Sequence, residues 1–309
     1  MLHNEELVAA VLGHIDSLRD LLRCSAVSSR WRSTAKILRP TSIEIPGKLS
    51  EGDHLYFDDI PQWLQQKHQQ KYFDKLQNLT LSLFDPAIVV RDLRPLTACG
   101  QAILMLAGLW PLKACSIDGP FSLYQIAGLL PQTLHHLQVK TYEEYDNIDI
   151  CIFQRFRNLR SLDLSAAEDY QVDGSHMQFA GVLPNLRHLH LSPRPFKDNG
   201  TLASSLPQLT HAALYVHANE LEQYVKLPHI ECLSLQLVSL EPVQVKMKVD
   251  ADSHLNCLVL RVPENVQVDL CLDKPDLLYA IHGTSATSGI RSVCSSARVY
   301  QLPTHFKPP

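Results

Sequence analysis

The sequence has little net charge, no long hydrophobic run and no basic leader, and each of these absences excludes a class of protein. The net charge of −4 and the pI of about 6.4 leave no bulk basic surface for nucleic acid. The most apolar run, AILMLAGLW at 102–110, is shorter than the roughly 18 residues that a membrane helix needs, so we expect no membrane partner. Glu5 and Glu6 stand where a secretory signal would be basic, so we expect no signal peptide.

Paired-cysteine motifs are also missing. Eight cysteines are spread through the chain without any C-x-x-C spacing, which disfavours zinc ribbons and thioredoxin-type redox motifs. In a chain without a secretory signal, we interpret them as reduced thiols of a cytoplasmic or nuclear protein. Cys115 falls on an inward position of the repeat described below, where a thiol acts as a small hydrophobic side chain.

Motifs of common enzyme classes are absent as well. The sequence has no G-x-S-x-G, no H-E-x-x-H, no GxxxxGK[ST] and no GxGxxG. We therefore expect no catalytic residues, no cofactor and no resident metal. The chain is expected to act by binding other proteins.

What the sequence has instead is a recurring phrase, L-x-x-L-x-L. LPNLRHLHL at 183–191 recurs as LPQLTHAAL at 206–214 and LPHIECLSL at 227–235, with looser copies elsewhere. The first aliphatic residue of each copy falls at 76, 112, 134, 159, 186, 209, 230 and 255. Apart from the first interval, the steps match the period of about 20–29 residues expected of leucine-rich repeats.

This period predicts an α/β solenoid. Each phrase should form a short strand, and stacked units should bury one continuous row of leucines. We expect a curved parallel sheet on the concave face and short helices on the convex face. After residue 260 the pattern weakens, which indicates a degenerate C-terminal cap. The segments between phrases that we predict to be short helices are 123–130, 147–156, 176–183, 201–206 and 220–225.

Strand alternation predicts which side chains are left outside. With Leu189 and Leu191 buried, His188 and His190 should lie on the concave face. The same register in every repeat gives the candidate target-binding residues His136, Gln138, Asp163, His188, His190, His211, Tyr215, Gln236 and Arg261.

The histidines of this face have three interpretations. Adjacent strands lie about 4.8 Å apart, so His188 and His211 should touch, with His190 beside Asp163. Three histidines and an aspartate could bind a metal, and a polar face could also simply tolerate histidine. We favour a contact patch for an acidic or pH-dependent ligand, because histidine titrates near neutrality.

The first forty residues follow a different pattern. Apolar residues at 7, 8, 11, 12 and 15 form one helical face, and the pattern restarts at 18. Two or three short helices are implied. They carry more apolar positions than so small a bundle can bury by itself, so a partner or the neighbouring repeats must cover the remainder.

This segment resembles an F-box, the trihelical module that binds the Skp-type adaptor of cullin-RING ubiquitin ligases. DLLRC at 20–24 and VSSRWR at 27–32 carry the most specific part of the resemblance, whereas His3 and Asn4 replace the usual leading Leu-Pro. The positions that match the family pattern are Glu6, Leu7, Val11, Leu12, Ile15, Asp20, Leu21, Leu22, Arg23, Val27, Arg30, Trp31 and Arg32.

The resemblance implies an F-box/leucine-rich-repeat protein, with an F-box at 1–40 and a leucine-rich-repeat solenoid at 41–309. Such a protein is the substrate-recognition adaptor of an SCF-type ubiquitin ligase, whose repeats bind the target protein. The alternative is a non-ligase interaction scaffold in which the N-terminal helices only cap the repeats. The resemblance assigns adaptor binding to Leu7, Val11, Leu12, Ile15, Leu18, Leu21, Leu22 and Val27.

Overall fold

The computed structural model separates the chain into two compact units, Met1–Glu143 and Glu144–Pro309. The predicted helices of residues 1–40 and any cap after residue 283 lie outside the described residues. No helix in the described part of the chain is long and apolar enough to cross a membrane. The structure describes residues 41–46, 59–82, 94–119, 121–141, 147–166, 176–178, 182–192, 202–239, 241–274 and 276–283.

The first unit contains four parallel strands that pair in chain order. Helices α1 (Asp59–Gln69), α2 (Arg94–Ala107) and α3 (Leu123–Leu129) lie between consecutive strands along the chain. Alternate strand residues are buried, because the aliphatic positions of the phrase recur every second residue. The strands are β1 (Ser42–Pro46), β2 (Asn78–Ser82), β3 (Ala114–Gly119) and β4 (His136–Thr141).

Two helix ends of the first unit have special backbone requirements. Lys71, just after α1, has φ 57°, and the N–H of Tyr72 donates to the Lys67 carbonyl at 3.0 Å. This left-handed residue closes the helix. At the end of α2, a Cβ on Gly108 would overlap the backbone carbonyl oxygen of Leu129. Glycine therefore permits the close approach of these two segments.

The second unit contains six parallel strands in one sheet and two smaller parallel pairs. The smaller pairs are β5 with β7 and β11 with β13. The strands are β5 (Asn147–Asp149), β6 (Ser161–Ala166), β7 (His176–Gln178), β8 (His188–Ser192), β9 (His211–His217), β10 (Cys232–Val238), β11 (Val243–Val249), β12 (Cys257–Val262), β13 (Val266–Leu272) and β14 (Leu278–Gly283).

The predicted helices between the strands are only partly confirmed. Segment 123–130 forms α3, while α4 (Leu202–Ser205) and α5 (Leu221–Val225) lie within 201–206 and 220–225. The helix predicted over 147–156 is wrong at its start, where β5 precedes a 3₁₀ helix over Ile150–Arg155.

The helix predicted over 176–183 is also wrong at its start, where β7 forms. Asn147, Asp149 and His176 have low helix propensity. Parallel pairing of the two short strands, with Asn147 opposite His176, provides backbone hydrogen bonds in place of helical ones.

The pair β11 and β13 was not predicted from the phrase. Both strands alternate strictly, with Val245 and Met247 buried on β11 and Val268 and Leu270 buried on β13. Their other face is polar, and Gln244 donates from Nε2 to Asp269 Oδ2 at 2.8 Å. Along the chain, β11 lies between β10 and β12 and β13 lies between β12 and β14, whereas α1, α2 and α3 lie between the strands of the first unit.

One backbone pattern recurs at the strand starts and fixes the register. The carbonyl of the residue before one strand accepts two N–H groups from the start of the next strand. In the first unit, the Gln77 carbonyl accepts from Lys113 at 2.7 Å and Ala114 at 2.9 Å. In the second unit, the Glu231 carbonyl accepts from Asn256 at 2.7 Å and Cys257 at 2.9 Å. Equivalent side chains therefore line up in rows across neighbouring strands.

Candidate interaction surface

The outward rows of the second unit have the register that the sequence predicts. Ser161, His188, His211, Cys232 and Cys257 are successive partners across β6, β8, β9, β10 and β12. The flanking leucines are buried, so this row lies on the other side of the sheet from them. The next row begins with Asp163 opposite His190.

His188 and His211 contact each other across β8 and β9. Their ring centroids are 4.5 Å apart, with an angle of 30° between the planes. His188 is exposed and His211 is half-buried. The Thr210 hydroxyl oxygen lies 2.8 Å from Nδ1 of His211, which holds that ring in one orientation. The predicted contact between the two histidines is confirmed.

His190 pairs with Asp163 rather than with the other two histidines. Its Nδ1 lies 3.0 Å from Asp163 Oδ1, and the two side chains are 47% and 27% exposed. Exposed pairs of this kind contribute at most about 1 kcal/mol to stability. Within the described residues, no group of three or more His, Cys, Asp or Glu side chains is placed to hold a metal ion. The histidines form one ring pair, His188 with His211, and one contact with a carboxylate, His190 with Asp163.

Two thiols continue the histidine row. Cys232 lies opposite His211 on one side and Cys257 on the other, and both cysteines are free and half-buried. Burial raises the pKa of both thiols, and that of Cys232 is raised further by Cys257 and Glu231. Thiols with raised pKa values are mainly protonated at neutral pH and are weak nucleophiles. We therefore expect these thiols to contact a bound partner and not to react with it covalently.

A third row carries the remaining predicted residues of the second unit. Tyr215, Gln236 and Arg261 are register partners across β9, β10 and β12. Gln236 and Arg261 are exposed, whereas Tyr215 is half-buried and its pKa is raised by burial. The row thus offers an aromatic ring, an amide and a guanidinium in sequence across three strands.

The predicted residues of the first unit lie on the same outward register of its own sheet. His136 is exposed and lies opposite Ala114. Gln138 is exposed and accepts a hydrogen bond at Oε1 from the Ser116 hydroxyl at 3.1 Å. These side chains form a polar outward surface on the first unit.

Sequence reasoning missed three arginines in the second unit. Arg157, Arg160 and Arg187 are all exposed and lie close to the starts of β6 and β8. The signal was present in the sequence, since RNLRS at 157–161 and NLRH at 185–188 place an arginine directly before each strand. The strand register does not select these positions, because they precede the strands.

The comparisons with known proteins leave the family open. Neither the protein-family models nor the curated proteins gave a match to the chain. The residues that the resemblance assigns to adaptor binding lie outside the described residues, namely Leu7, Val11, Leu12, Ile15, Leu18, Leu21, Leu22 and Val27.

Proposed function

We propose that the chain is the substrate-recognition adaptor of an SCF-type ubiquitin ligase, built from an F-box and a leucine-rich-repeat solenoid. Residues 1–40 would dock on the Skp-type adaptor through their apolar side chains. The outward rows of the repeats would bind the target protein. No catalytic residue, cofactor or metal is needed for this role.

One observation carries the binding part of the proposal, the register of the strands within each unit. Leucines of the phrase are buried at alternate positions, and the residues between them are exposed or half-buried in aligned rows. An aligned polar surface with a few aromatic and arginine side chains has the composition of a protein-binding surface. The ligase part of the proposal is supported by the sequence pattern at 20–32.

The mechanism of such a receptor is proximity. A target held on the repeats is kept near a ubiquitin-charged enzyme bound elsewhere in the ligase. This raises the effective concentration of the target's lysines, so a bimolecular transfer becomes nearly intramolecular. The receptor contributes binding energy and orientation, while the transfer chemistry belongs to its partners.

Co-purification with a Skp-type adaptor tests the ligase role. The full chain and a chain lacking residues 1–40 are each co-expressed with the adaptor and purified through a tag on the chain. We expect a stoichiometric complex with the full chain and none with the shortened one. A shortened chain that retained all adaptor binding would rule out the F-box assignment. A full chain that bound no adaptor would favour the scaffold, in which the N-terminal helices are only a cap.

A further inference from the structure

A basic edge borders the histidine pair in the second unit. We use this name for Arg157, Arg160 and Arg187, which are all exposed. Arg160 directly precedes β6, and Arg187 directly precedes β8. The chain has a net charge of −4, so a local concentration of positive charge is not a consequence of its composition.

The backbone holds the three arginines close together. The Arg160 carbonyl accepts hydrogen bonds from the N–H groups of Arg187 at 2.9 Å and His188 at 3.0 Å. The Arg157 carbonyl accepts a bond from Asn185 Nδ2 at 2.8 Å, which ties its loop to the residues just before β8. Arg160 and Arg187 are therefore neighbours at the spacing of adjacent strands, about 4.8 Å between backbones.

Nothing in the described part of the chain neutralises this edge. None of its three guanidinium groups has a described carboxylate within 4.0 Å. The carboxylate of Asp163 on β6 contacts His190 and none of the three arginines. Like charges held together on a surface repel each other, and an anionic ligand would relieve that repulsion.

The histidine pair extends the edge onto the sheet. The Arg187 carbonyl accepts from Thr210 at 3.0 Å and His211 at 2.9 Å, so His211 follows the same backbone pattern. The Thr210 hydroxyl engages Nδ1 of His211, so a ligand that bonds to this ring would use Nε2. Glu231, exposed one strand further along, ends the positive stretch and would repel an anion placed too far toward β10.

We propose that the basic edge, together with His188 and His211, binds a segment of the target protein that carries clustered negative charge. The arginines would hold carboxylate or phosphate oxygens by paired N–H groups, a geometry that guanidinium provides and lysine does not. The imidazoles would contact the residues that follow. This inference rests on the proposed function only in taking the ligand to be part of a target protein.

Fluorescence anisotropy on the full chain tests the proposal with three labelled peptides of equal length. One is rich in aspartate and glutamate, one carries two phosphoserines, and one is neutral with the same remaining residues. We expect both anionic peptides to bind, the neutral one to bind at least about tenfold more weakly, and added salt to weaken the anionic complexes. The tighter of the two anionic peptides identifies the source of the charge.

A charge-matched pair of variants assigns the site. The double variant Arg160→Gln/Arg187→Gln should weaken anionic peptide binding by at least about tenfold. The control Lys226→Gln/Lys246→Gln removes the same formal charge from two exposed lysines, one directly after α5 and one on β11, and should stay within about twofold of the unchanged chain. Circular dichroism checks that both variants are folded.

Several results would overturn the proposal. These are equal weakening by the two double variants, no binding of either anionic peptide, or a clear preference for anionic lipid vesicles or single-stranded RNA over both peptides. Adaptor co-purification is measured on the same preparations. A chain that binds the adaptor but no anionic peptide refutes the basic edge alone, whereas one that binds the peptides without the adaptor refutes the ligase role alone.

Discussion

The rings of His188 and His211 lie with their centroids 4.5 Å apart on adjacent parallel strands. Ser161 precedes them in the same row, and Cys232 and Cys257 follow. A ring pair at the middle of an outward row, flanked by small side chains, presents a continuous contact surface to a partner.

Replacing both rings should weaken capture of a target protein. We expect His188→Ala/His211→Ala to lower the affinity for a verified target by about tenfold, the cost of truncating a central contact. Dissociation constants from a direct binding assay provide the measurement. A matched control is His229→Ala/His254→Ala, which removes another exposed ring pair, with centroids 6.2 Å apart, from the same unit. Unchanged affinity in the first variant would remove the histidine pair from the binding surface.

Two glycines of the first unit should respond in opposite directions to alanine. A Cβ at Gly108 would overlap the Leu129 carbonyl oxygen, whereas a Cβ at Gly128 would have open space. We expect Gly108→Ala to lower the free energy of unfolding by about 1–3 kcal/mol through overpacking. Gly128→Ala lies in α3 and should raise it by about 0.5–1 kcal/mol through helix propensity. Urea unfolding measures both, and equal effects would contradict the close approach at Gly108.

Leucines on the two faces of the six-stranded sheet should differ strongly in their contribution to stability. Leu258 on β12 is fully buried, while Leu278 on β14 is 53% exposed. We expect Leu258→Ala to lower the free energy of unfolding by about 2–5 kcal/mol and Leu278→Ala to change it by less than about 1 kcal/mol. Chemical denaturation of the two variants provides the comparison. Similar losses would mean that the inward and outward registers are misassigned.

The buried thiol of Cys115 should make stability fall at alkaline pH. Burial raises its pKa from the ordinary value of 9.0 to about 12. Above pH 9 the unfolded chain loses the thiol proton while the folded chain keeps it, so deprotonation favours unfolding until the pH passes about 12. By pH 10, titration of this group should lower the free energy of unfolding by about 1.4 kcal/mol.

The matched variant for that measurement is Cys115→Ala, which has no thiol to titrate. Urea unfolding at pH 8 and at pH 10 gives the pH dependence of each protein. The fall in the free energy of unfolding between pH 8 and pH 10 should be smaller in the variant by about 1.4 kcal/mol. The cavity left by alanine lowers stability equally at both pH values, so it does not change this difference. An identical decline in the two proteins would show that Cys115 titrates normally.

The sequence predicts the strands well because their register follows a local pattern. The buried leucines of the phrase at 183–191 determine that His188 and His190 face outward, and the same rule places Tyr215 and Gln236. Strand β1 follows the same rule, since Ile43 and Ile45 alternate with Glu44 and are buried. In each case a few neighbouring residues decide the outcome.

Local sequence patterns do not predict which segments pair when those segments are far apart in the chain. The short strands at Asn147–Asp149 and His176–Gln178 form because they pair with each other, and neither segment indicates this alone. The pair β11 and β13 was visible as strict alternation, VQVKMKV at 243–249, but it does not contain the leucine phrase. The basic edge depends on backbone bonds between repeats, which bring Arg160 beside Arg187.

The most direct test of two separate surfaces on this chain is proximity labelling in cells with and without proteasome inhibition. It compares the full chain, Leu21→Asp/Leu22→Asp and His188→Ala/His211→Ala. We predict that the leucine variant no longer labels the Skp-type adaptor but still labels the target. With the full chain, labelling of the target should rise when the proteasome is inhibited. The histidine variant should keep the adaptor and lose the target. The ligase role would be contradicted if the leucine variant still labelled the adaptor and if the abundance of the target did not change on proteasome inhibition.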